Sequence, residues 1–151
     1  MNLQKAILEI RTNQGLTQDE FAEKLHVTRQ AVSRWENGET TPTIDTLKKI
    51  SELFKVDVCE MLGTSCQSCS WPLKSIEYVG THSDKSVNTD FCGHCYNEGK
   101  FSPEKNVAEI VEVLLQALDM YNADKGSNLT VDEARIYLNE HLATLKRWKT
   151  C

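Results

Sequence analysis

Thr17–Glu39, TQDEFAEKLHVTRQAVSRWENGE, decides how this 151-residue chain is read. Thr17 and Glu20 stand at the spacing of a capping box, in which the hydroxyl accepts from the Glu20 amide and the carboxylate reaches back. Phe21, Ala22 and Leu25 then give one short helix a buried face. His26-Val27 makes a turn. Thr28 can cap a second helix, where Ala31, Val32 and Trp35 recur at helical spacing and point inward. Arg29, Gln30, Ser33 and Arg34 are left facing out, and Asn37-Gly38 closes the helix with a pair that tolerates the left-handed conformation. Those outward groups suit base edges: Arg can bond guanine bidentately, Gln can bond adenine bidentately, and Ser can serve several acceptors.

Leu3, Ala6, Ile7 and Ile10 mark a preceding amphipathic helix, and Ile44, Leu47, Ile50, Leu53 and Phe54 a following one, so five short helices are expected up to about Leu62. In LTQDEFAEKL, VTRQAVSRWENG and PTIDTLKKIS, the stretch from Leu3 to Leu62 resembles the phage-repressor (XRE) type helix-turn-helix family. The resemblance implies that Thr28 to Asn37 lies in the major groove of double-stranded DNA. Gln18, at the start of the scaffold helix, and Asn37 would contact phosphates. His26 departs from the family, which commonly has Gly there, so some backbone strain is expected at the turn.

The formal charge of −5 and pI of about 5.4 are acidic for a nucleic-acid binder. Distribution matters more than the sum. Residues 1–65 carry 8 basic and 10 acidic side chains, whereas Thr28 to Arg34 holds two arginines and no acid. Weak binding to random DNA is therefore expected, with specific contacts and dimerisation carrying more of the affinity. No apolar run approaches a membrane span, and MNLQKAILEIR is an amphipathic helix with an acid inside it, unlike a secretory signal; a soluble, cytoplasmic protein is expected.

Four of the six cysteines form two pairs, Cys66-Gln-Ser-Cys69 and Cys92-Gly-His-Cys95, separated by 22 residues. Each pair can place two thiolates on one knuckle, and facing knuckles complete a tetrahedral shell suited to Zn(II). Disulfides are disfavoured in a reducing compartment, and a thioredoxin-like centre would need a βαβ pattern that is absent. Redox use of the same thiols stays open. Four cysteines leave His82 and His94 no vacancy as ligands. A closed site has no place for a catalytic water, and Glu77, Asp90 and Glu98 read as solvated surface rather than general bases. Cys59 reads as a small core residue, and Cys151 has no clear role. Between the pairs, Leu73 to Val79 alternates (Ile76, Tyr78) like a strand, and THSDKSVNTD reads as a polar turn region.

Residues 104–151 read as a helical hairpin. Val107, Ile110, Val111, Leu114, Leu115 and Leu118 form one apolar stripe, NADKGSN is the break, and Thr130 to Glu133 is a second capping box. Ala134, Leu138, Leu142, Leu145 and Trp148 continue the stripe. The elements CQSC, PL, FCGHCYNEGKF, TVDEAR and LKRW, from Cys66 to Trp148, resemble the bacterial zinc-ribbon domain family, in which Ser70-Trp71 replaces the usual Gly-Met. The resemblance supports zinc and the fold, and says almost nothing of mechanism.

The expected fold is mainly α with a small β zinc ribbon. It comprises a five-helix repressor-like DNA-binding domain (1–65), a four-cysteine ribbon (66–103) and a C-terminal helical hairpin (104–151). The functional expectation is a non-enzymatic, sequence-specific transcriptional regulator, a homodimer on a palindromic operator, whose zinc-bound half dimerises, binds a partner or senses an unidentified effector. Two rivals are a thiol or zinc redox switch, or zinc enzyme, carrying a DNA-binding module, and an antitoxin-like autorepressor.

Overall fold

A computed structural model describes residues 2–57, 61–62, 65–101 and 104–149. Helices α1 (Leu3–Asn13), α2 (Gln18–Leu25), α3 (Arg29–Asn37) and α4 (Ile44–Phe54) each begin at a side-chain cap. Asn2, Thr17, Thr28 and Thr43 accept from the amides of Lys5, Glu20, Ala31 and Thr46, satisfying donors that a helix start leaves open. At Thr17 the capping box is complete, because Glu20 Oε2 accepts from the Thr17 amide at 2.8 Å. The fifth helix expected before Leu62 and the core role of Cys59 fall on residues outside those described.

The four helices enclose Leu3, Ile7, Phe21, Leu25, Val32, Trp35, Leu47 and Ile50. Leu53, expected on the inner stripe of α4, is 53% exposed instead, and Phe54 takes the inward place by stacking on Phe21 at 5.0 Å between centroids. At the rim of this core, Arg11 donates from Nε to Glu36 Oε1 at 2.5 Å and from Nη2 to Oε2 at 3.0 Å. Arg11 Nη1 also donates to the Leu16 carbonyl at 2.8 Å, and Gln18 Nε2 donates to Glu36 Oε2 at 2.8 Å. One carboxylate thus ties α1 and α2 to α3. His26 has φ 58° and ψ 45°, the left-handed conformation expected at the turn.

After α4 the chain forms two small antiparallel ladders. Strand β1 (Val79–Thr81) pairs with β2 (Val87–Cys92), and β3 (Tyr96–Asn97) pairs with β4 (Lys100–Phe101). The β3–β4 hairpin turns through Glu98 (φ 48°) and Gly99 (φ 82°), the two positive values that a tight primed turn requires. Gly80 meets a steric demand, since a Cβ there would lie 2.4 Å from the Tyr96 carbonyl oxygen. The alternation over Leu73 to Val79 does not make a strand. Ser75 accepts from the Glu77 amide and winds Ile76–Tyr78 into a 3₁₀ turn, so pairing begins only at Val79. The polar stretch THSDKSVNTD is also only partly a turn: its second half enters β2, with Val87 fully buried.

Helices α5 (Val107–Gln116), α6 (Leu118–Lys125) and α7 (Val131–Ala143) complete the chain. The break lies later than NADKGSN suggests. Asn122 to Lys125 stay helical, and left-handed Gly126 (φ 67°) ends α6, while a second interruption at Ala117 separates α5 from α6. Ile110, Val111, Leu114, Leu118, Ala134, Leu138, Leu142 and Leu145 are buried together with the four cysteines. Ile76, Val79 and Val87 belong instead to the core of the first four helices, so β1 and the start of β2 close the N-terminal bundle.

Burial pushes the Glu36 carboxyl up, but hydrogen bonds from Arg11 and Gln18 outweigh it and hold the group below its ordinary value. A lowered folded-state value contributes stability above the unfolded value of about 4.3, lost as pH falls through the folded value. Glu36→Gln is therefore expected to cost about 2 kcal/mol at pH 7 and to flatten the loss of stability between neutrality and pH 3. Urea midpoints across that range check both. His26→Gly relieves a left-handed β-carbon and is expected to raise the thermal midpoint, by about 1 kcal/mol of stability before the entropy of the more flexible unfolded chain is subtracted.

Candidate nucleic-acid interface and metal centre

Helix α3 turns one face to the core and one to solvent. Val32 and Trp35 are buried, whereas Thr28, Arg29, Gln30, Arg34 and Asn37 are exposed and Ser33 is half-buried. All the residues assigned from sequence to base reading therefore share one accessible surface. The Thr28 oxygen accepts from the Ala31 amide at 3.1 Å, which fixes where the helix starts. Gln18 donates one of its two side-chain N–H groups to Glu36 at 2.8 Å, which anchors the side chain at the start of α2. What the start of α2 leaves open to an anion is backbone N–H at a helix N-terminus.

Neither Arg29 nor Arg34 stands alone. Arg29 Nε lies 3.4 Å from Asp19 Oδ2, and Arg34 Nε lies 3.5 Å from Glu39 Oε2, all four side chains being more than half exposed. The sequence alone assigns neither acid a role, with Asn37-Gly38 read as closing the helix. Asp19 reaches Arg29 through the packing of α2 on α3, whereas Glu39 is folded back on Arg34 by the turn at Gly38, where its amide donates to the Arg34 carbonyl at 2.9 Å.

The sulfurs of Cys66, Cys69, Cys92 and Cys95 all lie within 4.8 Å of one another, and those of Cys69 and Cys92 are 3.8 Å apart. A regular tetrahedron with metal–sulfur bonds of about 2.3 Å has edges of about 3.8 Å, so the spacing and the donor set fit Zn(II). Each knuckle is built from backbone bonds. The Ser70 amide donates to the Cys66 carbonyl and the Cys66 amide to the Trp71 carbonyl, both at 2.8 Å, while the Cys95 amide donates to the Cys92 carbonyl at 3.0 Å. The Cys92 amide also donates to Cys66 Sγ at 3.3 Å, the type of bond that stabilises a thiolate.

Hydrogen bonds from the other three thiols pull Cys66 down, whereas hydrogen bonding to Cys66, with burial and the Cys66 charge adding to it, pushes Cys69 and Cys95 up. The four groups cannot all ionise without a cation among them. Bound there, Zn(II) would supply a cross-link and charge neutralisation, since four thiolates leave no open coordination position. His82 pairs with the Tyr96 hydroxyl at 3.3 Å and His94 is exposed, so neither joins the sulfur cluster.

Ser70 explains one departure from the family pattern. It is fully buried with φ 62°, a conformation natural to Gly, and its hydroxyl lies 3.1 Å from His141 Nε2 on α7. The strained knuckle is thereby fastened to the helical half. Trp71 packs edge-on against Tyr121 at 5.8 Å. The chain end adds another clasp: Trp148 Nε1 donates to the Ser68 carbonyl at 2.8 Å, and Arg147 Nη1 donates to Ser68 Oγ at 3.0 Å.

The family described as "Putative zinc ribbon domain" matches residues 65–149, more than half of the chain. The chain belongs to the zinc ribbon family. Ahead of the zinc ribbon, residues 7–61 match a family described as "Helix-turn-helix". The chain is 40% identical over 62 residues to the HTH-type transcriptional activator BcrR of Enterococcus faecalis, covering 41% of this chain and 30% of that protein. It is 40% identical over 63 residues to the HTH-type transcriptional regulator ImmR of Bacillus subtilis (strain 168), covering 42% of this chain and 50% of that one. The chain thus spans half or less of the length of these relatives. No solved structure gives a significant match. Among the described residues, no helix is long and apolar enough to cross a membrane.

Because the knuckles hold the ribbon against α5 and α7, Cys66→Ser or removal of the metal by a chelator is expected to lower the thermal midpoint of the zinc ribbon. The bound zinc should fall from about one equivalent toward none. Zinc analysis beside thermal unfolding checks this, and a Cys66→Ser protein that keeps one tightly bound zinc and its midpoint excludes the ligand assignment.

Proposed function

We propose that the chain is a sequence-specific, double-stranded-DNA-binding transcriptional regulator in which Arg29, Gln30, Ser33 and Arg34 read base edges. Gln18, through its backbone amide, and Asn37 hold phosphates, and Thr28 sets the start of the reading helix. The observation that carries this reading is the single solvent-facing surface of α3, presented by a helix whose other face is locked by Val32 and Trp35. An exposed face rich in Arg, Gln and Ser has the donors and acceptors that major-groove edges require. The two relatives, each named for transcriptional control over a comparable stretch, support the same reading.

The zinc ribbon and helices form, in this reading, the body that organises the reader, with division near residue 65. Zinc is the proposed cofactor, and its role is structural rather than catalytic. A homodimer is proposed because one reader with acidic surroundings grips DNA weakly; two-fold pairing would set half-sites about 34–36 Å apart on a palindromic operator. Val113, Met120, Ile136 and Tyr137 are exposed apolar groups on the helical half, available for such pairing.

Selection of bound sequences from a randomised duplex library by the zinc-loaded protein tests binding, symmetry and spacing together. Arg29→Ala and Arg34→Ala are each expected to cost about 1–3 kcal/mol of discrimination at one base position while leaving thermal stability unchanged. Recovery of no preferred sequence would exclude the reading.

A further inference from the structure

Asp19 and Glu39 approach their arginines in the same way. In both ion pairs the nearest guanidinium nitrogen is Nε, at 3.4 Å for Arg29 and 3.5 Å for Arg34. The carboxylate thus faces the Nε edge. The two terminal nitrogens of each fork stay available, and these are sufficient to bond O6 and N7 of guanine bidentately. The acids come from outside the reading surface, one from the first turn of α2 and the other from just past the Gly38 cap of α3. They therefore bracket the helix at its two ends.

We infer that Asp19 and Glu39 are positioning residues that make the reader selective for guanine, resting on the DNA-binding reading above. Two physical effects act together. An arginine restrained at Nε loses fewer rotamers when its fork meets a base, because part of the ordering is already done. The same carboxylate offsets the arginine's charge, so a phosphate gains little from the pair and random DNA is held weakly. A base edge is a neutral acceptor, and a bidentate bond to it survives that offset. Acidic partners thus lower affinity for the backbone more than for the correct base.

Exposed ion pairs contribute little to folding, so charge can be removed without unfolding the bundle. Asp19→Asn, Glu39→Gln and the double variant are compared with the native zinc-loaded chain on the duplex recovered from library selection and on a random duplex of equal length. Fluorescence anisotropy is read across a sodium chloride series. Each substitution is expected to raise random-duplex affinity on the order of five-fold and to steepen the salt slope by about 0.9. The guanine preference at the corresponding arginine's base should fall, and Asp19→Glu should restore it. An unchanged ratio of selected to random affinity, or an unchanged slope, in the double variant overturns the inference even though the native chain binds DNA. A native chain without sequence preference overturns the DNA-reading proposal itself, and this inference with it.

Discussion

Four sulfurs held within 4.8 Å of one another set the geometry on which the C-terminal half depends. Small β ladders of two and three residues bury too little to stand alone. The cluster therefore has to be built by everything around it: turn bonds within each knuckle, the Cys92 amide on Cys66 Sγ, and helices packed behind the thiols. The contacts of Ser68 with Trp148 and Arg147, and of Ser70 with His141, bind one knuckle to the far end of the chain. A cation among the sulfurs would remove the repulsion that limits their ionisation, and its binding would then add to the stability that the buried helices give this half.

The N-terminal half uses a different device. Its core is ordinary helix packing, and a charged group at the rim ties α3 to the helices before it. Glu36 accepts from Arg11 and Gln18, which fixes α3 against two scaffold helices at once. A carboxylate with fewer partners there would be costly, because enclosed charge needs its full complement of donors. The bond to Glu36 also anchors the Gln18 side chain to the scaffold through one of its two N–H donors.

Local signals made much of this legible in sequence. The Thr17–Glu20 box, the left-handed turn at His26 and the buried periodicity of α2 and α3 depend on residues three or four apart, and all appear as expected. The two cysteine pairs were legible for the same reason, since each knuckle is local and only their meeting is not. The errors fall where a local pattern has two solutions. Alternation from Leu73 to Val79 fits a strand, yet Ser75 offers its oxygen to the Glu77 amide and a 3₁₀ turn wins. Polarity from Thr81 to Asp90 fits a loop, yet Val87 finds a buried place between the ribbon and the bundle. Contacts such as Arg11–Glu36, Asp19–Arg29 and Ser68–Trp148 join distant positions and leave no periodic trace.

Strand β2 joins these two devices. At its far end Cys92 belongs to the sulfur cluster. At its near end the Val87 amide donates to the Pro42 carbonyl at 2.9 Å, the Val87 carbonyl accepts from Thr41 Oγ1 at 2.5 Å, and Ser86 bridges to Thr43. Residues 41–43 connect α3 to α4, so the segment that follows α3 is paired to the strand that ends in one of the four clustered cysteines. Four residues, Asn88 to Phe91, lie between Val87 and Cys92, and the register of β2 on β1 shifts over them, so the strand bulges before it reaches the sulfur cluster. The sulfur cluster and α3 occupy separate parts of the sequence, and the bonds of Val87 tie the strand that carries Cys92 to the segment that follows α3.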